Sequence, residues 1–382
     1  MKQPSNNLAL RVPFLCLFAV FFACLSSLKA QDPALSQFFA NRVYLNPAFT
    51  GMEEGLQFTV SSRNQWYAAD KGYSFVIAGV DWQEPYLRSG FGLQVRKANE
   101  GIAPLSSVGA GLTYAYVVPI QQGNLHLGLQ YDFNQKSLDW SKLVFSDQLD
   151  PVFGKIYSSA ATMPANESII FHDFAFGAIW RWDSHNKSRG ETQHSFRSHL
   201  GLTIHHLPSL TGQGPDESFL RTNAAVPARI TIHGGTIIPL TFLRGVGNDL
   251  VLSPNFRFES QGVHPLNLGK SLTLFTGGLY VIFQKRFTTG LFYQSRSPIT
   301  QTKNTNSILV STGFSAYPKG TKKDNFYFGI SVDVNTSGLG LRSNNIYELN
   351  MRYSFKGMRP LFNREHQPKP VKGTMKCPHF AY

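Results

Sequence analysis

The last regular stretch of the chain reads Tyr347-Glu348-Leu349-Asn350-Met351-Arg352-Tyr353-Ser354-Phe355. Every odd position holds a large apolar side chain, and every even position holds a polar or charged one. Because successive side chains of a β-strand point to opposite faces, one face of this segment is apolar and the other is polar. Aromatic residues at both ends are typical of a transmembrane barrel strand, whose aromatic girdles lie at the two interfaces.

Comparable segments between turn signals predict about fourteen strands. They span residues 55–64, 72–82, 90–97, 107–117, 124–134, 171–182, 198–206, 229–240, 249–260, 271–283, 286–295, 305–316, 324–333 and 346–355. A strand of about ten residues tilted at ~45° crosses roughly 24 Å, close to the apolar band of an outer membrane. The sequence therefore predicts an all-β fold, a single transmembrane antiparallel β-barrel of about 14 strands.

The clarity of the alternation varies along the chain. Segments 124–134, 171–182 and 324–333 alternate cleanly, whereas 72–82, 271–283 and 305–316 carry apolar residues at both parities, so their faces are not assigned. Charged residues make up only 15% of the chain, which many membrane-facing strands would explain. No apolar run beyond the first thirty residues approaches the roughly 18 that a spanning helix needs.

The N-terminus has the features of a secretory signal peptide over residues 1–30. Lys2 and Arg11 precede an apolar stretch at 12–25, and Ala30 offers a small residue for cleavage. A lipoprotein acceptor at Cys24 is the weaker alternative, because the residues before it match a lipobox poorly. Cleavage after Ala30 leaves Cys377 as the one cysteine, which excludes an internal disulfide framework.

Two segments flank the predicted barrel of residues 55–355. Residues 31–54 do not alternate and are too apolar to remain solvated, so we expect a plug or a periplasmic collar. Residues 356–382 form a basic tail, either a solvated end or a docking arm for an acidic partner. Its charges are Lys356, Arg359, Arg364, Lys369, Lys372 and Lys376 against Glu365. Nucleic acid is not expected as a partner of an exported chain without a recognition motif.

Connection lengths predict the orientation of the barrel. With an even strand count and both termini in the periplasm, connections after odd-numbered strands face outward. The two longest connections, 135–170 and 207–228, belong to that set. The connection at 183–197 is long for a periplasmic turn and is the exception.

Charged residues collect on the predicted inward faces. They are Arg63, Arg96, Asp132, Asp173, Arg181, Arg229, Arg257, Glu259, Asp333, Glu348 and Arg352. Pairing across a wet interior is one explanation, since a barrel of this size needs it. A selectivity ring or a surface that binds a plug is the other.

No residue pattern indicates catalysis, a cofactor or a metal. His199 and His205 share a strand face, but His205 and His206 point to opposite faces, so both cannot bind one ion without a bulge. No nucleophile elbow or phosphate-binding loop is present in the sequence. Outer-membrane phospholipases and proteases are also barrels, so a lipolytic enzyme stays open as a third class.

Residues 32–38 read Asp-Pro-Ala-Leu-Ser-Gln-Phe, residues 44–51 read Tyr-Leu-Asn-Pro-Ala-Phe-Thr-Gly, and residues 377–380 read Cys-Pro-His-Phe. With these stretches, both ends of the mature chain resemble the PorP/SprF family of outer-membrane proteins of the type IX secretion system. At residues 31–51 the family pattern is D-P-x-x-S-Q-F/Y followed by Y-L-N-P-A-x-x-G, and at the end it is C-P-x-F. The matching residues are Asp32, Pro33, Ser36, Gln37, Phe38, Tyr44, Leu45, Asn46, Pro47, Ala48, Gly51, Cys377, Pro378 and Phe380.

The resemblance implies a non-enzymatic outer-membrane barrel linked to protein secretion, gliding motility or adhesin attachment. It implies docking of a secreted adhesin or of the C-terminal domain of a type IX cargo protein. Periplasmic secretion or gliding subunits would be further partners, besides outer-membrane lipid. The alternative function is a diffusion or uptake channel for small solutes, since about fourteen strands can enclose a lumen.

Overall fold

A computed structural model describes most of the chain. The described residues are 32–65, 72–100, 105–120, 123–164, 166–183, 196–219, 225–240, 250–262, 271–297, 305–318, 324–336 and 346–356. The chain divides into two compact units, Met1–Asp32 and Pro33–Tyr382, and the fold below belongs to the second. The predicted signal peptide and the tail beyond residue 356, with Cys377, Pro378 and Phe380, lie outside the described residues.

Fourteen antiparallel strands form one closed barrel, so the predicted fold class is confirmed. The first seven are β1 (Leu56–Gln65), β2 (Tyr73–Glu84), β3 (Ser89–Glu100), β4 (Leu105–Ile120), β5 (Gly123–Leu138), β8 (Ser168–Asp183) and β9 (Arg197–His205). The others are β10 (Arg229–Pro239), β11 (Leu250–Gln261), β12 (Leu272–Phe283), β13 (Phe287–Ser297), β14 (Thr305–Ala316), β15 (Asn325–Asn335) and β16 (Ile346–Phe355). Between β5 and β8, the short strands β6 (Leu149–Asp150) and β7 (Gly154–Lys155) form a separate hairpin.

The barrel closes where the first strand meets the last. β1 pairs with β16 over ten residue positions, with Leu56 opposite Phe355 and Arg63 opposite Glu348. All other barrel neighbours are consecutive along the chain, so successive connections alternate between the two ends. We call the end that carries the connections 139–167 and 206–228 the long-loop end. The opposite end, with the tight turns 85–88 and 284–286, is the short-turn end.

The outer wall is apolar and the inner wall is polar. On β5, Leu129 is 56% exposed whereas its neighbour Gln130 is 4% exposed, as the alternation predicts. The outward face of this strand changes from apolar to polar after Phe133, at Gln135 and Ser137. The lipid-facing band of β5 therefore ends before the strand does, which is why the sequence pattern placed the strand end too early.

Apolar residues also point inward on the strands whose faces the sequence left unassigned. Phe75 and Ile77 of β2 and Leu309 of β14 are at most 1% exposed and face the interior. They pack with apolar residues of the segment before β1, as does Tyr280 of β12. The alternation is blurred on these strands because lipid covers one face and protein covers the other.

Short helical turns occur before β1 and in the two long connections. They are the α-helix α1 (Arg42–Leu45) and the 3-10 helices Pro47–Phe49, Trp140–Lys142, Ser146–Gln148 and Leu207–Thr211. Throughout the described part of the chain, every helix is too short or too polar to cross a bilayer.

Candidate functional site: a filled lumen and an exposed hairpin

The segment before β1 fills the barrel interior. We call residues 33–54 the plug. It contacts inward-facing residues of at least eight strands, and its side chains at Leu35, Phe38, Phe39 and Phe49 are at most 3% exposed. The sequence predicts either a plug or a periplasmic collar here. In the structure, the segment lies inside the barrel and is surrounded by its wall.

Two asparagine caps organise the plug backbone. The Asn41 side chain accepts a hydrogen bond from the N–H of Tyr44 in α1 at 3.4 Å. The Asn46 side chain accepts one from the N–H of Ala48 at 2.9 Å and caps the 3-10 turn Pro47–Phe49. A segment without strand neighbours must satisfy its backbone groups in this local way.

Asn46 also anchors the plug to the wall. Its amide Nδ2 lies 3.1 Å from Nε2 of His233 and donates to the carbonyl of Leu202 at 3.2 Å. The wall makes room for this contact with two glycines that face each other on β5 and β8, Gly128 and Gly177. A Cβ on Gly128 would lie 2.2 Å from Ala48 N, and one on Gly177 would lie 1.9 Å from Asn46 Oδ1. Only glycine therefore allows the plug this close to the wall.

A carboxylate of β16 holds the beginning of the plug. Glu348 Oε2 accepts a hydrogen bond from the N–H of Ser36 at 2.6 Å, and its Oε1 accepts one from the N–H of Gln37 at 2.9 Å. The Ser36 hydroxyl donates to Asp333 Oδ2 at 2.6 Å. Arg63 Nη1 lies 3.5 Å from Glu348 and 3.6 Å from Asp333. Because an unpaired buried charge is costly, these groups stabilise one another only while they stay together.

Arg257 of β11 fastens the same part of the plug from another side. Its Nη1 donates to the carbonyl of Leu35 at 2.9 Å, and its guanidinium lies 4.7 Å from the ring centroid of Phe38. Glu259 Oε1 is 3.6 Å from Nη1 of Arg257. A cation over a buried aromatic face adds an electrostatic contribution to the apolar packing.

Residues 42–53 of the plug are held by a second set of polar contacts. Arg42 pairs with Glu53 inside the plug, and Arg352 of β16 lies 3.9 Å from the same carboxylate. The N–H of Gly51 donates to Asp81 Oδ2 of β2 at 2.8 Å. Gly51 has φ +60° and a Cβ there would lie 2.5 Å from Gly90 Cα, so this contact requires glycine.

The other residues of the N-terminal motif from Pro33 onward also lie in the plug. Tyr44 donates to the carbonyl of Pro33 at 2.7 Å, Leu45 is buried, and its carbonyl accepts from Thr203 at 3.3 Å. Asp32 ends the first unit of the chain. The sequence motif and the inward charges were proposed separately, and the structure brings them together at Ser36, Gln37 and Phe38.

Some of the predicted lumen charges lie away from the plug. Arg96 donates to Asp132 at 2.9 Å and to Asn134 within the β3–β5 wall. Asp173 Oδ2 lies 2.7 Å from Nδ1 of His206. Arg181 is buried within the wall, at 1% exposure. Arg229, in contrast, lies against the plug, with its guanidinium carbon 6.0 Å from the ring centroid of Tyr44.

Several contacts of the plug are not predicted by the sequence pattern. They involve Asp81, Glu53, His233, Gly128 and Gly177. Asp81 lies on a strand whose faces were not assigned, and the sequence pattern does not single out Gly128 or Gly177. His199, which was considered as a ligand, instead lies 5.3 Å from the ring centroid of Phe39, edge to face.

The hairpin β6–β7 at the long-loop end exposes apolar side chains. Val152 and Phe153 at its tip are 80% and 75% exposed. Asp150 Oδ1 accepts hydrogen bonds from the N–H groups of both, at 2.8 and 3.0 Å, and these bonds hold the pKa of Asp150 below its usual value. Ile156 and Tyr157 beside the tip are also more than half exposed.

These features define a class, a membrane β-barrel whose lumen is filled by its own N-terminal segment. The model of the family "Type IX secretion system membrane protein PorP/SprF" matches residues 27–353, and the chain belongs to this family. The resemblance in the N-terminal motif is thereby confirmed. No curated protein matches the chain significantly.

Solved structures with a similar fold are outer-membrane proteins of low sequence identity. Omp33 of Acinetobacter baumannii is 9% identical with a TM-score of 0.39, over 80% of this chain and 100% of that one. The Pseudomonas putida toluene transporter TodX is 10% identical with a TM-score of 0.42, over 86% and 95% of the two chains. A Pseudomonas aeruginosa FadL homologue is 10% identical with a TM-score of 0.40, over 82% and 93%. At these scores the likenesses carry no argument about function.

Proposed function

We propose that the protein is a non-enzymatic outer-membrane scaffold of the type IX secretion and gliding machinery. It docks or anchors secreted proteins or adhesins at the cell surface, by binding without turnover. Family membership supports the link to secretion. The long-loop end faces outward in this proposal, as the connection lengths predict. The short-turn end and the basic tail 356–382 face periplasmic subunits of the machinery.

The observation that carries the proposal is a lumen filled by the plug, together with a hairpin that exposes apolar side chains. A channel needs an open path, whereas the plug contacts the wall on many sides through charged, polar and apolar groups. Exposed contiguous apolar side chains mark a protein or membrane interaction site. The tip residues Val152 and Phe153 therefore fit a surface that meets another protein.

Surface display tests the docking function. Comparing the surface proteomes of the wild type and a deletion strain identifies the proteins whose display depends on this barrel. Complementation with a Val152→Ser, Phe153→Ser variant is expected to leave them off the surface, because the apolar contact is removed. Val108→Ser, a change at an exposed position on the outer wall of β4, is the control. Restoration of display by the hairpin variant would contradict the role of the hairpin.

Conductance separates the scaffold from the alternative, a diffusion or uptake channel. We expect the purified protein to be silent in planar bilayers and a variant lacking residues 33–53 to give discrete openings. Heat-modifiable migration in gels shows that the variant barrel has folded. Discrete openings of the wild-type protein would favour the channel over the scaffold.

A further inference from the structure

Strand β8 is longer than its neighbour β9 at the long-loop end. Its pairing with β9 runs from Asp183 opposite Arg197 to Phe176 opposite Ile204, and β9 ends one residue later. On its other side, β8 pairs with β5 as far as Ser168 opposite Ser137. Residues 168–175 therefore have a strand neighbour on one side only, which leaves a step in the barrel rim.

The register shows which backbone groups lie on the open side. The N–H of Leu138 donates to the carbonyl of Glu167 at 2.8 Å, so residues 138 and 167 form a hydrogen-bonded pair of the β5–β8 ladder. In an antiparallel ladder such pairs alternate, so Ile169 and Phe171 also direct their backbone groups to β5. Ser168, Ile170 and His172 direct theirs to the opposite side, away from β5.

Part of the step is filled by the connection that follows β9. His206 reaches Asp173 at 2.7 Å, and the 3-10 helix Leu207–Thr211 packs beside β8. Nearer the rim, no backbone hydrogen bond joins residues 168–172 to β9 or to residues 206–219, as far as the described chain shows. We call residues 168–172 the open edge. Ser168, Ile170 and His172 are all exposed.

The open edge lies at and above the end of the lipid-facing band. His172 is opposite Phe133, the last outward apolar residue of β5, and its Nδ1 lies 2.7 Å from the hydroxyl of Tyr131. Ile170 and Ser168 are opposite the outward polar residues Gln135 and Ser137. A strand edge in this position meets water, where a row of unpaired N–H and C=O groups is a template for another strand.

We propose that the open edge of β8 is a strand-addition site, where an extended segment of a partner polypeptide continues the barrel sheet at the cell surface. The inference rests on the proposed docking function and names the way in which the partner binds. Backbone hydrogen bonds to residues 168, 170 and 172 supply the recognition. Side chains of the added strand that lie beside the outward Ile170 are β-branched or aromatic, since such cross-strand pairs are favourable.

A second copy of the chain does not fit this edge. Two barrels in one membrane are related by rotation about the membrane normal. Antiparallel pairing of β8 with its own copy requires a two-fold axis perpendicular to the barrel wall, which would invert one barrel in the membrane. Parallel pairing requires a two-fold axis along the strand, and barrel strands tilt by about 35–45° from the membrane normal, so the second barrel would leave the membrane plane. With β8–β8 pairing excluded, the proposal assigns the edge to a segment of a different polypeptide.

Proline substitution tests the edge without disturbing the β5 ladder. In Ile170→Pro, His172→Pro the lost N–H groups are those on the open side, a position where sheets tolerate proline. The matched control Ile170→Ala, His172→Ala changes the same side chains and keeps both N–H groups. Each variant is introduced into the deletion strain, and the surface proteins that depend on the barrel are quantified.

We expect the proline variant to reduce display at least about tenfold, because two backbone hydrogen bonds to the partner are lost, while the alanine variant restores it. Full display with the proline variant overturns the edge and leaves the docking function intact. If neither variant restores display, the strand-addition site is also overturned, because recognition then depends on the side chains. A deletion strain that loses no surface protein overturns both the docking function and the edge.

Amide exchange of the full-length protein in detergent gives a second readout that does not depend on proline. The amides of Ile170 and His172 are expected to exchange at least about tenfold faster than those of Ile169 and Phe171. Equal protection of the two sets would show that the chain itself covers the edge, and would overturn the proposal even if the proline variant fails to assemble.

Discussion

The plug and the β6–β7 hairpin are folded by the same kind of side-chain cap, but the plug buries its apolar side chains and the hairpin exposes them. Both lie outside the barrel ladder, and both are folded by a side chain that accepts neighbouring backbone N–H groups, Asn46 in the plug and Asp150 in the hairpin. Phe39 of the plug is 1% exposed, whereas Phe153 of the hairpin is 75% exposed. One segment is built to stay in the barrel, and the other presents its apolar groups to the surroundings.

The comparison has an energetic basis. Burying a phenylalanine side chain contributes roughly 1.5–3 kcal/mol, so the aromatic residues of the plug stabilise it within the wall. Val152 and Phe153 of the hairpin gain little such contribution, because they are 80% and 75% exposed. In the proposed function, a partner protein covers them. Burial thus distinguishes a part of the fold from a surface for recognition.

The largest expected effect is that of Phe39→Ala. Truncation of this side chain removes contacts with Phe38 and His199 and leaves a cavity between plug and wall. We expect the free energy of unfolding to fall by about 3–5 kcal/mol, as for other buried phenylalanines. Urea titration of the protein in lipid vesicles, followed by tryptophan fluorescence, measures the change.

Phe153→Ala is the matched control in the hairpin. An exposed side chain contributes little to folding, so the free energy of unfolding should change by less than about 0.5 kcal/mol. Similar losses in the two variants would show that the contrast between plug and hairpin is wrong.

A smaller effect is expected for Asn46→Ala. This change removes a cap and the contacts of Nδ2 with His233 and with the Leu202 carbonyl. We expect a loss of roughly 1–3 kcal/mol, measured by the same titration. Asn41→Ala is the control, because its cap bond is long, at 3.4 Å, and it should cost less. An Asn41 variant as destabilised as the Asn46 variant would contradict the anchoring role of Asn46.

The smallest expected effect is the response of the hairpin to acid. The N–H groups of Phe153 and Val152 lower the pKa of Asp150 in the folded hairpin, so the carboxylate stabilises the turn above the usual pKa of about 3.9. This contribution is lost as the pH falls through the lowered pKa. The amide chemical shifts of Val152 and Phe153 should titrate with a midpoint below about 3.9.

The control for this titration is Asp150→Asn, which keeps an acceptor oxygen but no titrating group. Its amide shifts at 152 and 153 should stay constant over the same pH range. A midpoint at or above the ordinary carboxylate value in the wild type would mean that the turn does not depend on the charge of Asp150.

The barrel was predictable because lipid imposes a simple rule on its strands. On β5 and β16, every second residue faces hydrocarbon and the others face the polar interior, so the sequence alternates. Strand existence and number followed from that rule. The ends of β5 and β8 could not be predicted from this rule. Beyond the lipid-facing band, Gln135 and Ser137 of β5 are polar on the outward face, so the strand continues without an alternating signal.

The contacts inside the lumen were only partly predictable. The inward charges and the apolar segment 31–54 could be recognised separately, since each departs from its surroundings in composition. Their meeting at Ser36 and Glu348 depends on the barrel closing, which brings together residues 312 positions apart. The role of Gly128 and Gly177 depends likewise on the path of the plug, and the open edge of β8 on the register with β9.

The bond between Ser36 and Glu348 has a consequence for the order of assembly. The plug is synthesised before any barrel strand, yet its partner Glu348 belongs to the last one, and that strand also joins β1 to complete the ring. Contacts this distant along the chain form late, because a long loop must close first. The plug therefore forms its contact with Glu348 only after every barrel strand has been made. A plug that is bound at Glu348 thus indicates a completely folded barrel.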